Sequence, residues 1–203
     1  DSANYVVSQP TGLNASITPR ALTVLGLQAQ DKVYDGNVVA QVSTQGVQWS
    51  GLVGGDDVQL SIIGSFADKN VGQGKAVALA PTLTGADLGN YAVSVQAQSS
   101  ASITPRPLNI GGVAAQSKVY DGTTAATLET GALTRTGLVA GDLVNVSFSG
   151  QFADKNAGAG KSVALSPTLQ GADVGNYSIT IQASALADIT PRGLVVTADD
   201  QQK

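Results

Sequence analysis

Oxygen-bearing side chains in loops are the residues of this chain best suited to chemistry. Asp68, Asn70, Asp87 and Asn90 recur in kind as Asp154, Asn156, Asp173 and Asn176, each within a stretch rich in Gly and Asn. Calcium takes carboxylate and amide oxygens of this sort from loops. The same residues also form ordinary turns, in which a short polar side chain bonds the nearby backbone. Neither an EF-hand loop nor a Gly-Gly-x-Gly-x-Asp repeat accompanies them, so turn chemistry is the preferred reading and calcium the alternative.

Gly158-Ala159-Gly160-Lys161-Ser162 has the look of a phosphate loop, but the details refuse it. That motif needs a Gly where Lys155 stands and a helix after it, whereas Val163 and Leu165 open a strand. Lys69, Lys75, Lys155 and Lys161 could form an amide crosslink to Asn or Asp only if buried together beside a carboxylic acid, and surface lysine is the default. Asp56-Asp57 is a carboxylate pair in one place only, since Asp142-Leu143 is its counterpart, and neighbours on a strand point to opposite faces. Trp49 is the only Trp, with Arg135 in the equivalent place, and receives no site assignment.

Histidine, cysteine and methionine are absent, and Glu129 is the single Glu among 15 acids. Ser-His-Asp triads, Cys-His dyads, zinc sites and disulfides are thereby excluded, and no catalytic residue is assigned. A net charge of −4 with 11 scattered basic residues argues against nucleic acid and anionic membranes as partners. No apolar run approaches the roughly 18 residues of a spanning helix. The chain begins at Asp1 with no visible signal peptide and reads as a fragment of something longer. Lack of cysteine fits an exported protein.

A duplication sets the frame for these residues. Ile-Thr-Pro-Arg occurs at Ile17–Arg20, Ile103–Arg106 and Ile189–Arg192, and both 103 − 17 and 189 − 103 give 86. Lys32–Gly36 recurs as Lys118–Gly122 and Phe66–Asn70 as Phe152–Asn156, again 86 apart. About half of all positions match between 21–106 and 107–192, beyond what shared composition produces. The expected organisation is a C-terminal hairpin of a preceding copy at 1–20, repeat 1 at 21–106, repeat 2 at 107–192 and the first strand of a following repeat at 193–203. The array is expected to continue both ways.

Elements of period two must carry these loops. Val58, Leu60, Ile62 and Phe66 alternate with polar residues, as do Val144, Val146, Phe148 and Phe152. Turn clusters separate six to seven expected strands per copy, a count that suits a sandwich. Asp87-x-Gly89-x-Tyr91-x-Val93 and Asp173-x-Gly175-x-Tyr177-x-Ile179 resemble the tyrosine corner of immunoglobulin-like domains, with the residue two after the Tyr inward. On that likeness Tyr91–Gln96 and Ser100–Thr104 would form a terminal hairpin. The predicted fold is all-β: tandem immunoglobulin-like β-sandwich repeats of 86 residues in an elongated array, stiffened by Pro19, Pro105, Pro107 and Pro191. A β-grasp-like repeat is the alternative and would need a helix of about ten residues per copy.

Lys32-Val33-Tyr34-Asp35-Gly36, the Phe-Ala-Asp-Lys-Asn-x-Gly-x-Gly-Lys runs at 66–75 and 152–161, and the Gly-Asn-Tyr and Ile-Thr-Pro-Arg endings together resemble the YDG repeat of large bacterial surface adhesins, filamentous-haemagglutinin-like and two-partner-secreted. The resemblance implies an extracellular, outer-surface array that projects a binding head for attachment or biofilm formation. It brings no catalytic residues or cofactor. Tyr34 and Tyr120 then read as core or strand-end anchors, and Gly36 and Gly122 as turn residues. Expected partners are neighbouring repeats of the same chain and an extracellular glycan or a matrix or host protein, with the chain a monomer that does not insert in membranes. Two alternatives stay open: repeats that themselves bind a glycan or host protein, and a polysaccharide-acting enzyme.

Overall fold

Apolar residues at every second position force strands whose one face is buried. In Asn145–Phe152 the inward set is Val146, Phe148 and Phe152, and in Gly158–Gln170 it is Val163 and Leu165. The two pair antiparallel, with Phe148 opposite Pro167 and Phe152 opposite Val163. The structure, a computed structural model, describes residues 1–198. It is all-β, with 51% of residues in strands and sheets that form a curled half-barrel sandwich. No α-helix occurs among the described residues; the only helical pieces are three-residue 3-10 turns, so the helix that a grasp fold needs is missing. No helix among the described residues is long and apolar enough to cross a membrane.

The second copy displays the architecture in full. Lys118–Val119, Ser184–Thr190, Gly158–Gln170, Asn145–Phe152 and Ala125–Ala126 form a five-stranded sheet in that order. Thr134–Thr136, Arg106–Gly111 and Tyr177–Ile181 form a three-stranded one. The core packed on the five-stranded sheet holds Val113, Phe152, Val163, Leu165, Ala187 and Ile189, with Phe148 and Leu133 packed against it. Each copy has five strands of five residues or more and five of two or three residues, where six to seven of ordinary length were expected.

The pairing corrects the expected terminal hairpin. Tyr177–Ile181 lies parallel to Arg106–Gly111 in the small sheet, whereas Ser184–Thr190 pairs with Gly158–Gln170 and, in parallel, with Lys118–Val119 in the large one. The last two long strands of the copy therefore sit in different sheets and do not pair. Alternation shows that a segment is a strand but carries no information about its partner. The inward position two after the tyrosine is also corrected: Val93 is exposed and Ile179 only half-buried. Burial on these strands falls on the tyrosine itself, with Tyr91 and Tyr177 at 8% and 7% exposure.

Residues 5–19 hold no strand, and Tyr5, Val6, Val7 and Ile17 are exposed. The hairpin expected at 1–20 would need partners equivalent to Arg20–Leu25 and Gly72–Thr84, which have no counterpart among residues 1–19. Residues 193–198 likewise form no strand, and the rest of the first strand expected at 193–203 lies outside the described residues.

Two compact units divide the chain, and their boundary does not follow the repeat. Unit 1 holds residues 1–30, 39–65 and 76–100. Its core of Leu22, Val24 and Tyr91 is packed by Val47, Trp49, Leu52, Val58, Leu60 and Val95. Unit 2 holds the chain from Ala101 together with two first-copy segments, Asp31–Val38 and Phe66–Lys75. Those segments carry the Lys-Val-Tyr-Asp-Gly and Phe-Ala-Asp-Lys-Asn runs.

Candidate functional site

Within unit 2 the two first-copy segments meet the second copy in a set of polar contacts. Pro105 alone separates the strand that ends at Thr104 from the one that begins at Arg106. Lys32–Val33 pairs in parallel with Ile103–Thr104, and Tyr34 N donates to Thr104 O at 2.9 Å. That pairing projects the Tyr34 ring, fully buried, toward the second copy, where it meets Tyr177 edge-on at 5.5 Å. Gly36, at φ +81°, lies so close that an added Cβ would sit 2.8 Å from Val139 Cγ1. Arg106 Nε donates to Gly137 O at 2.8 Å, so the Thr-Pro-Arg ending ties the same region down.

Asp142 is the centre of this cluster, its side chain 3% exposed. Its Oδ2 accepts from the hydroxyls of Tyr34 at 2.8 Å and Tyr177 at 2.5 Å, and its Oδ1 accepts from Lys69 Nζ at 2.8 Å. Lys69 also lies 2.9 Å from Asp173 Oδ1 and 5.8 Å from the centre of the Tyr34 ring. Asp173 Oδ2 accepts from Leu143 N at 2.9 Å, and Tyr177 Oη from Val139 N at 3.0 Å. Val71 N donates to Asn176 Oδ1 at 3.0 Å, and Asn176 Nδ2 to Asn70 Oδ1 at 3.2 Å. One lysine facing two carboxylates, with every other oxygen bonded, is a lock between segments.

The charge states follow from these contacts. Burial works to raise the Asp142 carboxyl, but hydrogen bonds from Lys69, Tyr177 and Tyr34 together hold it below the ordinary carboxylate range. Asp173 is lowered by the Leu143 amide first and then by Lys69. Tyr177 is pushed up to about 12, by burial first and then by its hydrogen bond to Asp142. Lys69 is raised by its bonds to Asp142, Tyr34 and Asp173, so it stays an ammonium. An amide crosslink requires a neutral amine as nucleophile. The lysine best placed for one is thus held in the form that cannot attack.

The oxygens singled out from sequence have divided fates. Asp68 Oδ1 accepts from Asn70 N at 2.8 Å and Lys75 Nζ at 2.6 Å, and Asp154 Oδ1 from Asn156 N at 2.8 Å and Lys161 Nζ at 2.5 Å. Each forms an Asx turn stapled by a lysine, and both carboxyls are held low, by the lysine first. Asp87 Oδ2 accepts from Asp57 N at 2.8 Å. Asp173, Asn176 and Asn70 belong to the lock, while Asn90 is exposed. No group of three or more acidic side chains placed to hold a metal occurs among the described residues. Lys161 lies within the strand Gly158–Gln170, with no helix to hold a phosphate.

Asp142 was missed from sequence because only the pair Asp56-Asp57 drew notice. The signal was the one Asp of that pair that repeats, Asp56 as Asp142, each 35 residues before a Gly-Asn-Tyr tyrosine. Tyr34 was read as an anchor, without its acceptor.

The lysine that opens each signature run organises its own turn. Lys32 Nζ reaches Asp35 Oδ1 at 2.7 Å and Asn37 O at 2.8 Å, and Lys118 Nζ reaches Asp121 Oδ1 at 2.9 Å and Thr123 O at 2.9 Å. Asp121 is brought down to about 2, by Lys118 first and then by the Thr123 amide. Comparison with known families matches the chain to the YDG domain over residues 18–101 and again over 104–185. No curated protein matches the chain.

Proposed function

This chain belongs to the YDG domain family, which it carries twice, and on that footing we propose that its copies are structural spacer repeats of a bacterial cell-surface adhesin. They hold a binding head away from the outer surface for attachment or biofilm formation, perform no catalysis and take no cofactor. The observation that carries this reading is the joint. A one-residue connection at Pro105 and a buried lock of Tyr34, Lys69, Asp142, Asp173 and Tyr177 are what a load-transmitting repeat needs, and every lock residue recurs 86 positions away. Stacked repeats that contact only their neighbours build length in one dimension.

A ligand-binding role for the repeats would favour a groove shared by both copies. The second copy has an open groove of about 1030 Å3 lined by Leu128, Leu133, Arg135, Val146 and Phe148. Its counterpart in the first copy, at Val47, Trp49 and Leu60, encloses about 220 Å3. The two differ in size and in the Trp49/Arg135 exchange, so they do not offer one ligand two equal sites.

Small-angle scattering on the chain should give an extended profile, unchanged by calcium or chelator. Deleting residues 21–192 from the protein in its bacterial host should reduce attachment while the remainder is still displayed, and excess purified chain should not compete for attachment. Competition would replace the spacer reading with ligand binding. A compact profile and undiminished attachment would overturn it.

A further inference from the structure

Each half of the lock occurs a second time in the chain. In unit 1, Asp56, Asp87, Asn90 and Tyr91 stand 86 positions before Asp142, Asp173, Asn176 and Tyr177 (142 − 56, 173 − 87, 176 − 90, 177 − 91). They are already arranged as a notch of the same form. Tyr91 donates to Asp56 Oδ2 at 2.5 Å and accepts from Val53 N at 3.0 Å, while Asp87 Oδ2 holds Asp57 N. Burial is what differs: Asn176 and Asp173 are 4% and 8% exposed, whereas Asn90 is exposed and Asp87 half-buried.

In unit 2, Tyr120, Gly122, Lys155 and Asn156 repeat Tyr34, Gly36, Lys69 and Asn70 (120 − 34, 122 − 36, 155 − 69, 156 − 70, each 86). Tyr120 N donates to Thr190 O at 2.8 Å, as Tyr34 N does to Thr104 O, so the projecting geometry is kept. Here too the surface is open. Tyr120 is half-buried where Tyr34 is wholly buried, Lys155 is exposed, and a Cβ at Gly122 would meet nothing within 4 Å. A cavity of about 350 Å3 lined by Ala157, Gly158, Thr190 and Pro191 adjoins Asn156.

We propose that these two surfaces bind each other between copies of this chain, Tyr120, Lys155 and Asn156 of one molecule entering the Asp56–Asp87–Asn90 notch of the next. The occupant is identified by the filled example in the same molecule: the notch takes a tyrosine hydroxyl on its first Asp, a lysine between its two Asp, and an Asn on its Asn. A cationic plug and an anionic notch also steer the correct approach. The contact is heterologous, so it joins molecules head to tail, as open chains or as closed rings. Within the molecule the filled lock benefits from tethering; between free molecules the same contact, small by interface standards, is expected at roughly millimolar strength. The inference rests on lock geometry and not on the adhesin role, so each can fail without the other.

Two exposed positions allow a test that leaves the fold alone. Asn90→Lys places a cation in the notch, and Lys155→Glu places an anion on the plug. Sedimentation of the full chain from about 0.05 to 2 mM should show the wild type growing past dimer mass, and each variant associating at least tenfold more weakly. An equimolar mixture of the variants should stop at the dimer, because one keeps an intact plug and the other an intact notch. In amide NMR spectra, concentration should move Val53, Asp57 and Asn90 together with Tyr120, Asn156 and Ala157. A wild type that stays monomeric, variants that associate as it does, or a mixture no better than its parts would overturn the proposal, whatever the other surface engaged.

Discussion

Asp142 accepts from two tyrosine hydroxyls and a lysine, and the worth of each donor can be tested against its repeat-related twin. Tyr34→Phe removes a hydroxyl whose acceptor is a buried carboxylate and should cost about 1–2 kcal/mol in denaturant unfolding. Tyr120→Phe removes a hydroxyl with no partner among the described residues and should leave the midpoint unchanged. Equal effects would show that the ring, not the hydrogen bond, matters at Tyr34. The pH profile has two limbs. Tyr177 holds its proton more tightly when folded, so its contribution is complete below the ordinary tyrosine value of about 10 and is lost as pH rises through about 12. Asp142 and Asp173 are lowered on folding, so theirs is complete above about pH 4 and fades as pH falls through their folded values. Tyr177→Phe should weaken the alkaline limb and, by removing one of the bonds that hold Asp142 low, make the acid limb shallower as well; an unaltered alkaline limb would assign it elsewhere. Since Lys69 stays an ammonium, the intact mass should equal that of the sequence; loss of one water (to Asp) or one ammonia (to Asn) would reveal a crosslink, which peptide mapping would place.

Strands and turns set how closely the two copies approach, and glycine shows it. Gly36 and Gly122 share a left-handed φ of +81° and +82°, so alanine strains either by about 1–2 kcal/mol. Only at Gly36 does a Cβ also meet a neighbour, Val139 Cγ1. Gly36→Ala should therefore cost more than Gly122→Ala and should speed hydrogen exchange at the Val71 amide, whose acceptor is Asn176 across the lock. Identical losses would mean that Val139 yields freely. This asymmetry also explains what the sequence could and could not disclose. The period-two runs at 58–66 and 144–152 made the long strands legible, and the 86-residue spacing made the duplication legible. Partnership was not, because the parallel pairing of Arg106–Gly111 with Tyr177–Ile181 joins residues about 70 apart (177 − 106 = 71) and leaves no local mark. The turn reading of Asp68 and Asp154 was legible because an Asx turn is a two-residue affair. The Asp142 lock was not, since it joins Tyr34 to a residue 108 positions away.

At the scale of the whole molecule, sequence repeat and folded unit are out of phase. The family boundaries near residue 103 follow the duplication, but the compact unit that starts at Ala101 also takes in Asp31–Val38 and Phe66–Lys75. In repeat proteins stability is a sum of unit terms and nearest-neighbour interface terms. Here the interface residues sit on segments that leave their own copy, so breaking the interface should change which unit those segments unfold with. Native-state hydrogen exchange in rising denaturant can follow this. In the wild type, the amides of Tyr34 and Val71 should exchange with the opening that exposes the Val163 strand, since their acceptors, Thr104 O and Asn176 Oδ1, lie in unit 2. Lys69→Glu turns the lysine between Asp142 and Asp173 into a third carboxylate and should detach both amides, which would then exchange at lower denaturant than the Val163 strand. The Leu22 strand, whose core of Val24, Tyr91 and Trp49 is separate, should be unmoved. If Tyr34 and Val71 instead track the Leu22 strand in the wild type, the lock does not couple the copies, and the copies fold as the sequence repeat divides them.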